Sequence, residues 1–296
     1  MIAKFPAFSK LTLDLKDDVE AVTSHFEPYS DFNFSSLYCW DTDDYTSVSD
    51  LNGNLVIRLP DYLSGGPITS MLGDKKIDES IEQLLANTKA LNLVPEVVVK
   101  ALEKRRFNLL ADKDSFDYIY DLEQHANLTG PDFKGKRKKV NRFIRNFQNR
   151  YIVRPIDFED HRTKDLILNV FDDWAKAKNK QGKDTHQRRV ATTRMIENAQ
   201  VLGIIGLIIY LDDKPAGFTI YETADNKWAT WHSHKILPQY ENLDAFATME
   251  ASKDLLRRGQ TYINWEQDFG TPSIRQLKLT YHPVKYLKKY TIISVE

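Results

Sequence analysis

The chain has 296 residues, 41 of them basic and 42 acidic, with 42% hydrophobic and 11% aromatic side chains and one cysteine, Cys39. Such a composition excludes a disordered chain, a disulfide framework and a cysteine zinc site, and a net charge of −1 excludes general affinity for nucleic acid or anionic membrane. The length suits two domains, the longest apolar run (Val201–Leu211) suits a buried strand, and Met1–Pro6 lacks a signal-peptide core, so a cytoplasmic protein without a transmembrane segment is expected.

In chain order, Leu55–Leu59 and Ile68–Leu72 read as strands separated by the turn-rich Pro60–Pro67. Ile77, Ile81, Leu84, Leu85 and Thr88 keep helical spacing, with Asp78 as a candidate N-cap. Val94–Val99 reads as strand or helix, and Phe116–Leu122 as a strand. Between Lys134 and Arg145 lie seven basic residues (Lys134, Lys136, Arg137, Lys138, Lys139, Arg142, Arg145) and no acidic one. Without them the chain holds 34 basic residues against 42 acidic, so the charge of this segment runs against its surroundings. Val140, Phe143, Ile144 and Phe147 recur there at the spacing of an amphipathic helix. A helix start wrapped in Lys and Arg suits phosphate, whereas a solvated basic face is the plainer alternative.

The second half begins with the extended Tyr151–Pro155, where the junction between a 1–150 and a 151–296 domain is expected. Leu166–Trp174 marks a helix, and Lys176–Arg189 reads as an exposed loop or helix end. Gly206–Leu211 and Ala216–Glu222 form a hairpin, Trp228–Lys235 is a strand, and Leu243–Leu255 is a helix closed by Gly259. Each half reads helix, strands, helix, strand, which predicts α+β architecture with mixed sheets.

If Tyr262–Phe269 is one strand, Asn264, Glu266 and Asp268 share a face. A short helix capped by Thr271 and Pro272 then presents Arg275 and Lys278 until Tyr281-His282-Pro283 stops it. Carboxylates facing cations could bind a zwitterion such as an amino acid, or form a structural salt-bridge network. Trp228, Thr230, His232 and His234 alternate on another strand face. His-x-His can ligate a metal, but no third ligand stands at a recognisable spacing, so no metal is expected and a cleft role or ordinary packing is left. The Leu237–Asn242 loop contains no glycine, unlike the pyrophosphate loop of acyl-CoA-dependent transferases of the GNAT fold.

Three blocks together resemble one family: Tyr29–Trp40; Tyr120–Leu122 with Leu128, Gly130 and Lys136–Phe143; and Asn264, Glu266–Asp268, Gly270, Arg275, Lys278, Tyr281, Pro283 and Lys289-Tyr290. The family is an uncharacterised bacterial group related to the C-terminal domain of phosphatidylglycerol lysyltransferases, and the resemblance spans essentially the whole chain. It implies tandem GNAT-like domains, as in the Fem peptidyltransferases, and transfer of an aminoacyl group from aminoacyl-tRNA, or another phosphate-bearing donor, to an amine or hydroxyl acceptor such as a lipid headgroup. It requires no cofactor. Under it Glu266, Asp268, Arg275 and Lys278 form the catalytic set, with Glu266 and Asp268 on the aminoacyl ammonium. Lys136, Arg137, Lys138 and Arg142 hold phosphates, and His232, His234, Asn264 and Tyr281 complete the binding set. An acyl-CoA-dependent N-acyltransferase and a non-catalytic protein binding RNA or anionic lipid are the alternatives.

Overall fold

The computed structural model describes residues 1–61, 65–103, 106–224 and 226–295. The strands are Ser9–Lys10 (β1), Ser47–Leu51 (β2), Asn54–Pro60 (β3), Pro67–Leu72 (β4), Leu91–Pro95 (β5), Phe107–Ala111 (β6), Asp117–Asp121 (β7), Tyr151–Pro155 (β8), Ile204–Leu211 (β9), Lys214–Thr223 (β10), Trp228–Ile236 (β11), Tyr262–Asn264 (β12), Lys285–Leu287 (β13) and Lys289–Ser294 (β14). The helices are Lys16–Thr23 (α1), Phe34–Trp40 (α2), Ile77–Leu85 (α3), Glu96–Ala101 (α4), Leu122–Asn127 (α5), Lys134–Asn146 (α6), His161–Ala177 (α7), Lys183–Glu197 (α8), Ala199–Leu202 (α9), Leu243–Arg257 (α10) and Pro272–Leu279 (α11). The expected turn at Pro60–Pro67 lies partly outside the described residues, at 62–64.

Two compact units divide the chain: residues 1–118, 266–279 and 285–296 form the first, and 119–265 with 280–284 the second. Residue 150, the expected boundary, falls inside the second unit in this division. The reason is packing. The stripe of α6 (Val140 and Phe143, with Ile144 and Phe147) is buried against Ile209, Leu211, Phe246 and Met249 of that unit. In turn β14 is the central strand of a sheet ordered β5-β14-β6, which draws the C-terminus into the first unit.

In the first unit, β1-β2-β3-β4 form an antiparallel sheet. Its β2–β3 hairpin closes at Asn52-Gly53, both left-handed (φ 58° and 86°), the pair that best tolerates a tight turn matched to strand twist. Val94–Val99, ambiguous by pattern, is divided: β5 ends at Pro95, which opens α4. Lys76 rather than Asp78 precedes α3, and Asp78 lies in its first turn, where a carboxylate meets the positive end of the helix dipole.

In the second unit, β7-β12-β11-β10-β9-β8 lie side by side, with β11 and β12 parallel and the other pairs antiparallel. The β9–β10 hairpin turns at Asp212 and Asp213, both left-handed, at φ 50° and 60°. Residues 183–189, expected in an exposed loop or helix end, form the start of α8, which buries Ala191, Thr192, Met195 and Ile196 further along. Its first turns are polar, so their sequence carries no apolar repeat to announce the helix. Among the described residues, no helix is long and apolar enough to cross a membrane.

Gly206 of β9 lies opposite Ile220 of β10. A Cβ there would come 2.3 Å from the Thr219 carbonyl oxygen and 2.8 Å from Ile156 Cδ1. Backbone cannot yield as a side chain can. Gly206→Ala should therefore destabilise the second unit by about 1–3 kcal/mol, the usual cost of overpacking, read as a lower midpoint in urea.

Candidate active site

In the second unit the site is built on β11 and the start of α10. β12 accompanies β11 only from Trp228 to Thr230, and β11 continues six residues beyond, to Ile236. Past that point β11 is kinked by a bulge. Ile220 pairs with Ser233 and Tyr221 with Trp231, which leaves His232 as the extra residue. The expected common face of His232 and His234 is therefore broken. His232 is buried and meets Glu222 at 3.4 Å, while His234 Nε2 meets Asp244 Oδ1 at 2.9 Å. The two histidines thus meet separate carboxylates.

Asp244 lies in the first turn of α10. Asn242 precedes that helix in a left-handed conformation (φ 65°), a backbone state that glycine adopts most freely. The Asp244 side chain is 54% exposed, yet protein crowds it enough for desolvation to be the largest influence on its carboxyl. Desolvation opposes ionisation. The hydrogen bond and charge of His234, the charge of Lys136 and a 3.4 Å hydrogen bond from Tyr281 Oη outweigh it and bring the pKa to about 2. Asp244 is thus an accessible carboxylate held ionised.

Lys136 completes the group. Its Nζ stands 3.2 Å from the centre of the Tyr281 ring and donates to Thr280 Oγ1 at 3.1 Å. Desolvation pulls its pKa down to about 8 against the opposing charge of Asp244, with Lys139 adding to the fall. Aromatic rings back the site. Trp265 packs on Tyr281, Trp231 and Tyr120 at centroid distances of 4.8, 5.2 and 4.3 Å, and Trp231 packs on His234 at 5.2 Å.

Of the expected binding residues, the structure thus brings Lys136, His234 and Tyr281 together. Arg137 instead donates to the carbonyls of Leu128 and Gly130, closing the turn after α5. Lys138 is exposed, and exposed Arg142 reaches Glu241 at 3.4 Å. Asn264 is fully buried in β12, as is His232 nearly so in β11.

The expected catalytic residues lie in the first unit, and their geometry corrects the strand-face reading. β12 ends at Asn264, and Glu266 and Phe269 turn left-handed (φ 59° and 53°), so the alternation does not extend to Asp268. Asp268 is fully buried. Its Oδ2 accepts from Tyr118 Oη (2.6 Å) and Arg275 Nε (2.8 Å), and its Oδ1 from Arg275 (2.9 Å) and the Gly270 N–H (2.8 Å). Burial opposes ionisation, but these donors prevail and hold the carboxyl below its usual range. The cation expected beside Asp268 is Arg275, which also bridges to Asp114 at 2.6 Å. Lys278 is buried and donates to the carbonyls of Glu266 (2.9 Å) and Gln267 (2.7 Å), and burial lowers its pKa to about 8. Glu266 accepts from Ser36 Oγ at 3.2 Å. With every Asp268 oxygen engaged, this cluster fixes the 265–271 turn on α11 and offers no carboxylate for an ammonium at Asp268.

Sequence reasoning missed Asp244 and a second buried cluster. Fully buried Lys289 pairs with Asp31 and with Asp117 (2.8 Å), and also donates to Ser30 Oγ (2.9 Å) and Gln267 Oε1 (2.7 Å). The available signal for Asp244 was an acidic first turn directly after the His-x-His strand. For Lys289 there was none, because its partners lie far away in the chain.

His125 supports the site from behind. It is 1% exposed, and its Nε2 donates to the Tyr281 carbonyl at 2.9 Å, so the proton resides on Nε2. Burial lowers its pKa to about 4 from 6.5. The unfolded chain therefore binds a proton there that the folded one refuses. The stability contribution is complete above pH ~6.5 and is lost as pH falls towards 4, by up to about 3 kcal/mol. His125→Gln should flatten that limb of the stability–pH curve, measured by urea melts between pH 4 and 7.

Comparison with known proteins places this geometry. The family model described as phosphatidylglycerol lysyltransferase, C-terminal, matches residues 24–293. The chain belongs to that family. A conserved protein of unknown function from Bacteroides thetaiotaomicron is 25% identical, with a TM-score of 0.86 over 100% of both chains. L-PGS from Bacillus licheniformis is 12% identical, with a TM-score of 0.62 over 99% of this chain and 94% of that one. FemX is 7% identical, with a TM-score of 0.54 over 85% of each. No protein of curated function matches. The fold is accordingly the α+β fold with mixed sheets that the sequence pattern leads one to expect, and it is shared with L-PGS and FemX.

Proposed function

We propose that the protein is an aminoacyltransferase that moves an aminoacyl group from aminoacyl-tRNA to an amine or hydroxyl acceptor, such as a phospholipid headgroup. The observation that carries this reading is the pairing of an accessible, ionised Asp244 with Lys136, an amine whose pKa is about 8, at one end of β11 in a chain of this family. Asp244 receives the α-ammonium of the donor, and the Trp265 and Tyr281 rings bound its side chain. An aminoacyl ester is already activated, so orientation and proton transfer suffice and no protein nucleophile is needed. The acceptor attacks the ester carbonyl, a new C–N or C–O bond forms, and the bond to the ribose oxygen breaks. Lys136 takes the proton from the acceptor and returns it to the leaving oxygen. A group with a pKa near the working pH suits both halves of that task. The exposed cations of α6, Lys134, Lys138 and Lys139, would meet the phosphates of the tRNA end.

The observation against an acyl-CoA donor is local. The loop between β11 and α10 has no glycine, and Glu241 and Asp244 flank the helix start where a pyrophosphate would lie.

Purified protein supplied with radiolabelled aminoacyl-tRNAs, and with phosphatidylglycerol vesicles or small amines, should transfer label to the acceptor. Binding of tRNA should weaken steeply with salt. Label that stays on tRNA with every acceptor, or RNA binding insensitive to salt, would reject the proposal.

A further inference from the structure

The helix α6 places four lysines, Lys134, Lys136, Lys138 and Lys139, within two turns. Three of them, Lys134, Lys138 and Lys139, are exposed. Lys136 differs in features that favour its free amine. It is half-buried, and its hydrogen-bond partner is the Thr280 hydroxyl at 3.1 Å rather than a carboxylate in contact; against these, the Tyr281 ring at 3.2 Å favours the ammonium. A hydroxyl can accept from an ammonium or donate to a free amine, so the same partner serves both forms. The bond to Thr280 lies at an exposed position, so small reagents reach Nζ.

We propose that Lys136 is a nucleophilic lysine and a site of covalent modification by small activated acyl compounds, acyl phosphates in particular. The free amine adds to the acyl carbonyl, a C–N bond forms, and the C–O bond to phosphate breaks. Orthophosphate leaves with that electron pair, and the proton lost by nitrogen goes to solvent. The product is a neutral amide on Nζ. It abolishes the charge that Lys136 sets against Asp244 and removes the proton carrier. The loss of transfer rests on the function proposed above, whereas the modification itself does not.

The lowered pKa of Lys136 supports the same ordering. At pH 7 an amine of pKa about 8 is free roughly 230 times more often than an ordinary lysine amine at ~10.4, and the accompanying fall in nucleophilicity leaves a net advantage on the order of tenfold.

The probe is acetyl phosphate, with acetylation of each lysine followed by peptide mass spectrometry at several pH values. At pH 7 Lys136 should acetylate about tenfold faster than Lys134, Lys138 and Lys139, and its rate should level off above pH ~8. Asp244→Asn should speed acetylation of Lys136 at pH 7 and leave the other three unchanged, because the carboxylate favours the ammonium form. Equal rates along α6, or a Lys136 slower than its neighbours, overturns the proposal. Because no tRNA is present, that failure is distinct from failure of aminoacyl transfer.

Discussion

Lys289→Met should cost the protein about 3–5 kcal/mol, the usual result of removing one partner from a buried charge cluster. Lys289 is fully buried, as are both its carboxylate partners, Asp31 at 1% exposure and Asp117 at 0%. Burial alone would lower its pKa, yet the charges of Asp117 and Asp31 and their hydrogen bonds raise it, so the amine is charged at any ordinary pH. Methionine matches the length of the lysine stem and keeps most of the packing, so the cost measures the charge. It leaves two carboxylates without their cation in the middle of the first unit. Asp117 keeps the Ser30 N–H at 2.9 Å and the Ser30 hydroxyl at 2.6 Å, which limits but does not cancel the penalty. Thermal and urea melts of the variant read the loss directly. Adding Asp31→Asn and Asp117→Asn to Lys289→Met should restore much of it, since those two carboxylates no longer stand without their cation. A variant as stable as the parent would show that water reaches this cluster.

Most elements were legible in the sequence because their patterns are local. The stripe of α6, the β9–β10 hairpin and the i+4 row of α10 each announce themselves within a short stretch of chain, and each is present. Failures occurred where a local pattern was interrupted by backbone geometry. The alternation over Tyr262–Phe269 ends at Asn264 because Glu266 and Phe269 adopt left-handed conformations that Lys278 stabilises by donating to the carbonyls of residues 266 and 267. The His232–His234 face is broken by one extra residue in a ladder whose register depends on β10. The site suffered most, because it depends on pairings between distant segments. Lys136 could be chosen from the basic helix, but its contact with Tyr281 and Thr280 exists only when residues 280–284 fold into the second unit. Charge placed by such long-range contact has no signature in spacing.

The pH dependence of transfer should separate the roles of Asp244 and Lys136. If the free amine of Lys136 accepts the acceptor's proton, kcat rises with pH through about 8 and then levels. Lys136→Met should lower kcat by about 10²–10⁴-fold and abolish that rise, with little effect on the melting temperature because the residue is only half-buried. Asp244→Asn acts differently. Its carboxylate binds the donor ammonium, so its loss should raise KM for the donor roughly 10–100-fold, the worth of one charge-assisted hydrogen bond. It also favours the ammonium form of Lys136, so its loss makes that amine easier to deprotonate and moves the rise in kcat to lower pH. A merely structural Asp244 would lower activity at every pH without moving the midpoint. Activity that falls rather than rises with pH through about 8 would show that Lys136 works as the ammonium, and an unmoved midpoint in Asp244→Asn together with an active Lys136→Met would remove both residues from the reaction.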